Sequence, residues 1–214
     1  MVTGQTQIPM VQNGTVDLVC GAIAHTAERA RQADFSNTVL LDEVRIVAKA
    51  GSAHLGGSLA GLAGQRVTVA AGSLAEGLVK AANADQQLGM NIMQQKDTGE
   101  AFALLEAGRA VAMVDHHTVL EGQCVGKGRT PADWAVSETP LQRSALAFIM
   151  RKGDEPFRAV VNEAIAAAQT GGEAAKLYSK WFQSPIPPRS RNLGMELSAD
   201  NEALFSSPKN EAIG

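Results

Sequence analysis

Cys20-Gly21-Ala22-Ile23-Ala24-His25-Thr26-Ala27-Glu28-Arg29-Ala30-Arg31-Gln32-Ala33-Asp34-Phe35-Ser36 is the stretch on which the reading of the chain turns. The apolar alternating run Val16-Asp17-Leu18-Val19-Cys20 leads into it and reads as a strand, which Gly21 is expected to end. Thr26 stands where a helix N-cap stands, with Glu28 and Arg29 in the first turn. A strand, a tight turn and a short helix thus hold one arginine at a strand's carboxyl end, where open α/β sheets bind ligands. Arg29 reads in two ways. It is either a solvated helix charge or a planar fork of donors that fits a carboxylate bidentately.

Working outward, Ile8 to Gln12 reads as a short helix stopped at Asn13-Gly14. Thr38 to Ala48 is a long β-branched run, read as one extended strand crossing from one lobe to another. Gly51 to Gly64 is a loop holding one short helix. Strands and helices then alternate: a strand over Arg66–Ala70, a helix over Leu74–Ala82, a strand over Met90–Met93, a helix over Thr98–Ala107 and an apolar strand over Ala110–Val114. That alternation implies a mostly parallel sheet with right-handed crossovers. Lys127–Pro131 reads as a polar loop and Ser144–Met150 as another strand. Glu155–Thr170 carries Phe157, Val160, Val161, Ala164, Ile165 and Ala168 at helical spacing. Glu173–Phe182 is a second helix with Leu177, Trp181 and Phe182 as its apolar face, and the prolines from Pro185 to Pro188 end regular structure. The tail beyond is polar, with Leu193, Met195, Leu197, Leu204 and Phe205 as docking points.

With 214 residues the chain forms one or two domains, and 45% hydrophobic with 19% charged residues are globular values. The net charge of −3, without a basic patch interleaved with aromatics, argues against nucleic acid as a partner. No apolar run approaches the roughly 20 residues that span a bilayer. Met1 to Gln5 lacks the charged and apolar regions of a signal peptide. The chain is therefore either cytoplasmic from Met1 or numbered from inside a longer natural chain. Cys20 and Cys124 are too few for a disulfide scaffold, and Cys20 is expected to be a buried structural thiol.

The central segment resembles the polar amino-acid-binding proteins of ABC transporters, whose pattern is strand, Gly, a Ser/Thr-rich turn, Glu-Arg, then Phe-Ser. The similarity extends through Ile8-Pro9-Met10-Val11-Gln12-Asn13-Gly14-Thr15, Leu105-Glu106-Ala107-Gly108-Arg109-Ala110-Val111-Ala112, Thr170-Gly171-Gly172-Glu173-Ala174 and Lys180-Trp181-Phe182-Gln183-Ser184-Pro185-Ile186-Pro187-Pro188. Glu196-Leu197-Ser198 and Ala203-Leu204-Phe205 continue it, in the manner of the glutamate/aspartate-binding branch. The resemblance implies an α/β periplasmic-binding-protein type II fold: two α/β lobes joined by two crossing strands, with a ligand clamped between them by hinge closure. Residues 1–40 plus 143–214 would form the first lobe and 41–142 the second. The family's β-α-β segment before the Ile8-Pro9 run is not seen here. Its absence is expected to leave a sheet edge open, which a homo-oligomer would cover.

Several ligand positions of that branch are altered. Gln7 stands where it carries an arginine and Gly4 where it carries a serine. Ala22 and Ala24 replace hydroxyl residues, Leu74 a threonine and Thr98 a histidine, while Arg29 is retained. The resemblance assigns ligand contact to Arg29, Ala22, Ala24, Ser73, Thr98, Asp115 and His116. An ungapped alignment puts His116 at the acidic position that meets the ligand's ammonium, and a one-residue shift puts Asp115 there. Asp115-His116-His117 also reads as a metal site, a His–Asp pair, or a loop of solvated polar residues. Gly72-Ser73 before a helix reads either as backbone N–H groups presented to an anion or as an ordinary turn, and Glu76 and Glu106 as solvated. The resulting expectation is a non-enzymatic binder of an amino acid or carboxylate that needs no cofactor or metal. Its partner would be an ABC permease and its place the periplasm. A small enzyme on the same scaffold and a non-binding oligomer are the alternatives.

Overall fold

The computed structural model describes residues 3–126, 131–187 and 190–213. The loop expected at Lys127–Pro131 therefore lies outside the described residues except for Pro131, which opens a 3-10 turn, and so does Pro188. The chain divides into two units, one built from Thr6–Asp42 with Arg143–Gly214, the other from Glu43–Gln142 together with residues 3–5. Residues 3–5 were expected in the first lobe with the rest of 1–40. They join the second unit instead because Gly4 has no side chain: a Cβ there would lie 3.0 Å from the carbonyl oxygen of Ala71 and 3.2 Å from Gly72.

The first unit contains α1 (Gln7–Gln12), β1 (Leu18–Ala24), α2 (Ala27–Ala30), the start of β2 (Asp34–Lys49), the end of β7 (Gln142–Met150), α6 (Glu155–Thr170), α7 (Glu173–Phe182) and α8 (Ala199–Ser206). Its strands lie in the order β1-β7-β2, with β1 antiparallel to β7 at the edge. Ile8 and Val11 of α1 pack with Val19, Ile23, Phe35, Ala147 and Ile149. Gly21 does not end β1. Val19 pairs with Ile149 and Ile23 with Ala147, so three residues of β1 span what one residue of β7 spans, and Cys20-Gly21-Ala22 form a bulge. Cys20 is exposed there rather than buried, whereas Cys124 is buried. On α7 the buried position is Tyr178, stacked on Phe182 at 4.5 Å, whereas Leu177 and Trp181 are about half exposed. The tail is more ordered than expected, for it forms α8 and buries Leu204 and Phe205.

The second unit carries the rest of β2, then β3 (Arg66–Ala70), α3 (Leu74–Asp85), β4 (Asn91–Gln95), α4 (Thr98–Glu106), β5 (Ala112–His116), α5 (His117–Val125) and β6 (Trp134–Val136). Its strand order is β2-β5-β3-β4, with β6 also on β2. Only β3 with β4 and β3 with β5 are parallel; β2 runs antiparallel to β5 and β6, so the sheet is mixed rather than mostly parallel. Side chains of β5 alternate between two cores. Ala112 and Val114 join Val44, Ile46, Val67, Val69, Ala75 and Val79, while Met113 joins Val47, Ala101, Phe102, Leu105 and Leu120. Asp115 is the last buried residue of that strand and His117 begins α5, so this triplet is not a solvated loop.

In the first unit β2 takes backbone partners from the tail. Asn201 accepts from the Leu41 N–H at 2.8 Å and donates to the Leu41 carbonyl at 2.9 Å, Thr38 N–H donates to the Lys209 carbonyl, and the Asn210 amide donates to the carbonyls of Phe35 and Ser36. Asn201 is buried, so Asn201→Ala removes a donor and an acceptor at once. The variant is expected to lose about 1–3 kcal/mol of stability in denaturant unfolding. A loss under about 0.5 kcal/mol, the range of a surface substitution, would count against this tie.

Candidate functional site

In the first unit the site residues sit at the end of β1. Thr26 is extended, and its hydroxyl accepts the Arg29 N–H at 3.3 Å as the N-cap of α2. The cap aims Arg29 back along the strand, where Nη1 donates to the Ala24 carbonyl at 3.1 Å. Burial lowers the Arg29 pKa and the charge of Glu28 raises it, but the guanidinium stays charged at neutral pH. Ala24 is buried, so it contributes its carbonyl to holding Arg29. The side chain of Ala22 lies outside the described residues. Next to the bulge, the Gln7 amide rests on Gly21: a Cβ added to Gly21 would meet Gln7 Nε2 at 3.0 Å. Gln7 Oε1 is buried with no hydrogen-bond partner. The sequence placed Gln7 at a ligand position but marked nothing of this polar vacancy, which depends on the bulge. His25 is buried and stacked on Phe35 at 4.1 Å, its Nδ1 also unpartnered, and burial lowers its pKa so that it is neutral at pH 7.

In the second unit three parallel strands end side by side, and the candidate residues follow them. Ser73 caps α3 by accepting the Glu76 N–H at 3.1 Å, and the Glu76 carboxylate returns to accept the Gly72 N–H at 2.6 Å. This is a reciprocal capping box. Glu76 is therefore not solvated; it also holds Lys80 at 2.6 Å, and its carboxylate takes the Gly72 N–H that the sequence offered to an external anion. On the neighbouring helix, Thr98 Oγ1 donates to Asp115 Oδ2 at 3.1 Å. Asp115 Oδ1 accepts the His116 N–H at 2.8 Å, with His116 Nδ1 at 3.6 Å. Opposite Asp115 across the β2–β5 pair, Arg45 is held by Glu43 at 2.6 Å and by the carbonyls of Ser137 and Glu138. His117 turns to Glu121 at 3.3 Å, and among the described residues no three His, Cys, Asp or Glu side chains converge as metal ligands. The structure thus joins Thr98, Asp115 and His116 into one polar cluster and places Ser73 in a separate cap of the same unit.

The model of the bacterial extracellular solute-binding proteins, family 3, matches residues 1–184. The chain belongs to that family. It is 42% identical to the L-glutamate/L-aspartate-binding protein of Pseudomonas aeruginosa and 37% identical to the glutamate/aspartate import solute-binding protein of Escherichia coli K12. Each match covers 99% of this chain and 69% of the relative. Among solved structures, an ancestral arginine-binding protein bound to arginine superposes with a TM-score of 0.77 at 29% identity, covering 85% of this chain and 78% of that one. This solute-binding protein has the type II architecture of those structures.

Two consequences of the local geometry are measurable. Gly72 has φ +75°, and a Cβ on it would meet the Gln5 nitrogen at 2.7 Å, so Gly72→Ala is expected to cost at least about 1–3 kcal/mol in thermal unfolding. Burial raises the carboxyl pKa of Glu76, but Lys80 and the Gly72 N–H bring it below its ordinary value. Burial likewise raises that of Asp34, while the Gly153 N–H, Lys152 and Arg158 bring it below. A depressed folded-state pKa stabilises above the unfolded value and is lost as pH falls through the folded one, so stability should decline below about pH 4. Glu76→Gln and Asp34→Asn should each flatten that decline in melts run from pH 6 to pH 3; an unchanged slope in both would contradict it.

Proposed function

We propose that this chain is an amino-acid receptor of an ABC importer. Arg29 takes the ligand's carboxylate, and the cluster of Thr98, Asp115 and His116 is the acidic group of the kind that suits an ammonium. The ligand is a polar amino acid. An ABC permease in the cytoplasmic membrane receives it on the periplasmic side. The reading includes no catalytic step and no cofactor.

The observation that carries it is the fixing of Arg29. An arginine whose backbone is capped by Thr26 and whose Nη1 is tied to the Ala24 carbonyl loses little side-chain freedom on binding. A planar guanidinium held in this way suits a carboxylate.

The test is thermal unfolding of the purified chain against the twenty amino acids. A ligand at 100 times its dissociation constant adds about 2.7 kcal/mol, a shift of a few degrees. Arg29→Ala should weaken binding of the responding amino acid at least about tenfold, the loss expected when a charged hydrogen bond is removed. No response to any amino acid in a folded sample would overturn the receptor reading.

A further inference from the structure

We propose that Gln7 sets the class of ligand side chain, and that the class is a carboxamide, as in glutamine or asparagine, rather than a carboxylate. The inference rests on the reading of the chain as an amino-acid receptor clamped at Arg29, and it parts from the ligands for which the 42% and 37% identical relatives are named.

Charge is the first argument. From Thr6 to Ala30 the only cation is Arg29, because His25 is buried and neutral. An amino acid whose α-carboxylate takes Arg29 leaves no positive group in this segment for a second carboxylate. Buried without a counter-charge, that carboxylate would be strongly disfavoured.

Hydrogen-bonding capacity is the second. Gln7 Oε1 is a buried acceptor without a partner. A carboxylate has no N–H or O–H to give it and would oppose lone pair to lone pair. A carboxamide gives an N–H to Oε1 and accepts from Nε2–H, so each amide satisfies the other. The fit holds whichever way the Gln7 amide is turned, since it always presents one acceptor and one donor.

Placement is the third. Gln7 rests on Gly21, and Arg29 is tied to Ala24, three residues further along β1. Three strand residues span at most about 10 Å. One amino acid, with a hydrogen bond of about 2.9 Å at each end, covers that distance. The bulge sets Cys20, Gly21 and Ala22 out of register with β7 on the stretch between the two side chains. Gly21 is the position at which any side chain would press on the Gln7 amide. Gln7 is thus a specificity residue, and Gly21 is what lets it lie there.

The experiment is isothermal titration of the full chain, and of Gln7→Arg and Gln7→Met, with L-glutamine, L-asparagine, L-glutamate and L-aspartate. The unaltered chain should bind one of the two amides at least tenfold more tightly than the matching acid. Gln7→Arg, which adds the missing cation, should reverse that order. Gln7→Met, close in volume but without polar atoms, should bring the amide-to-acid ratio towards one. Acid binding as tight as amide binding in the unaltered chain, or a ratio that neither variant moves, overturns the role of Gln7 and leaves the receptor reading standing. Failure of all four amino acids to bind the folded chain overturns the carboxamide assignment, and the receptor reading falls with it only if none of the twenty amino acids shifts the melt.

Discussion

Strand β2 runs for 16 residues through both units, and every buried N–H and C=O along it must find a partner. The rest of the fold is arranged to supply them. In the first unit β7 lies on one side, while Asn201, Lys209 and Asn210 reach it from the carboxyl-terminal tail. In the second unit β5 and β6 pair with it, and Ser137 accepts the Ile46 N–H at 3.1 Å. Segments more than 60 residues away in sequence are thereby committed to one strand. This is why a tail that is polar by composition still folds into a capped helix with Leu204 and Phe205 buried.

The same accounting extends to the polar side chains of each unit. In the second unit most polar groups are already matched: Glu76 with Gly72 and Lys80, Arg45 with Glu43 and two carbonyls, Asp115 with Thr98 and the His116 N–H. These matches keep charged and hydroxyl groups in place beside the strand ends without a ligand. In the first unit the Gln7 carbonyl oxygen is left buried and unmatched, and the fixed cation is Arg29. A group costs free energy when buried without a partner. Thr38 Oγ1 and Gln169 Oε1 of the first unit and Trp134 Nε1 of the second share that condition.

Patterns carried by neighbouring residues were legible directly. The helices Glu155–Thr170 and Glu173–Phe182 and the strand Arg66–Ala70 lie where their periodicity and stop signals put them, and Thr26 caps its helix as its residue type suggests. Local patterns misled where pairing decides. Gly21 reads as a strand end, yet β7 tolerates it as part of a bulge, and Cys20 is carried outward with it. Leu177 and Trp181 look like a buried face, but the packing of α7 selects Tyr178, one position along. The Asp115-His116-His117 triplet is polar by composition, and only its place at the end of a strand buried on both sides makes Asp115 an interior group.

By itself the sequence determined the alternating α/β order, the long strand from Thr38 to Ala48, and the family, because these rest on periodicity, capping and residue identity along continuous stretches. Tertiary structure alone decided which strands are antiparallel, that the Glu76 carboxylate occupies its own helix terminus, that Thr98 meets Asp115, and that Gln7 lies over Gly21 with an acceptor unpaired. The physical reason is range. Propensity and hydrophobic period act over a few residues, whereas register and the satisfaction of buried polar groups are fixed by partners that the chain brings together from distant positions.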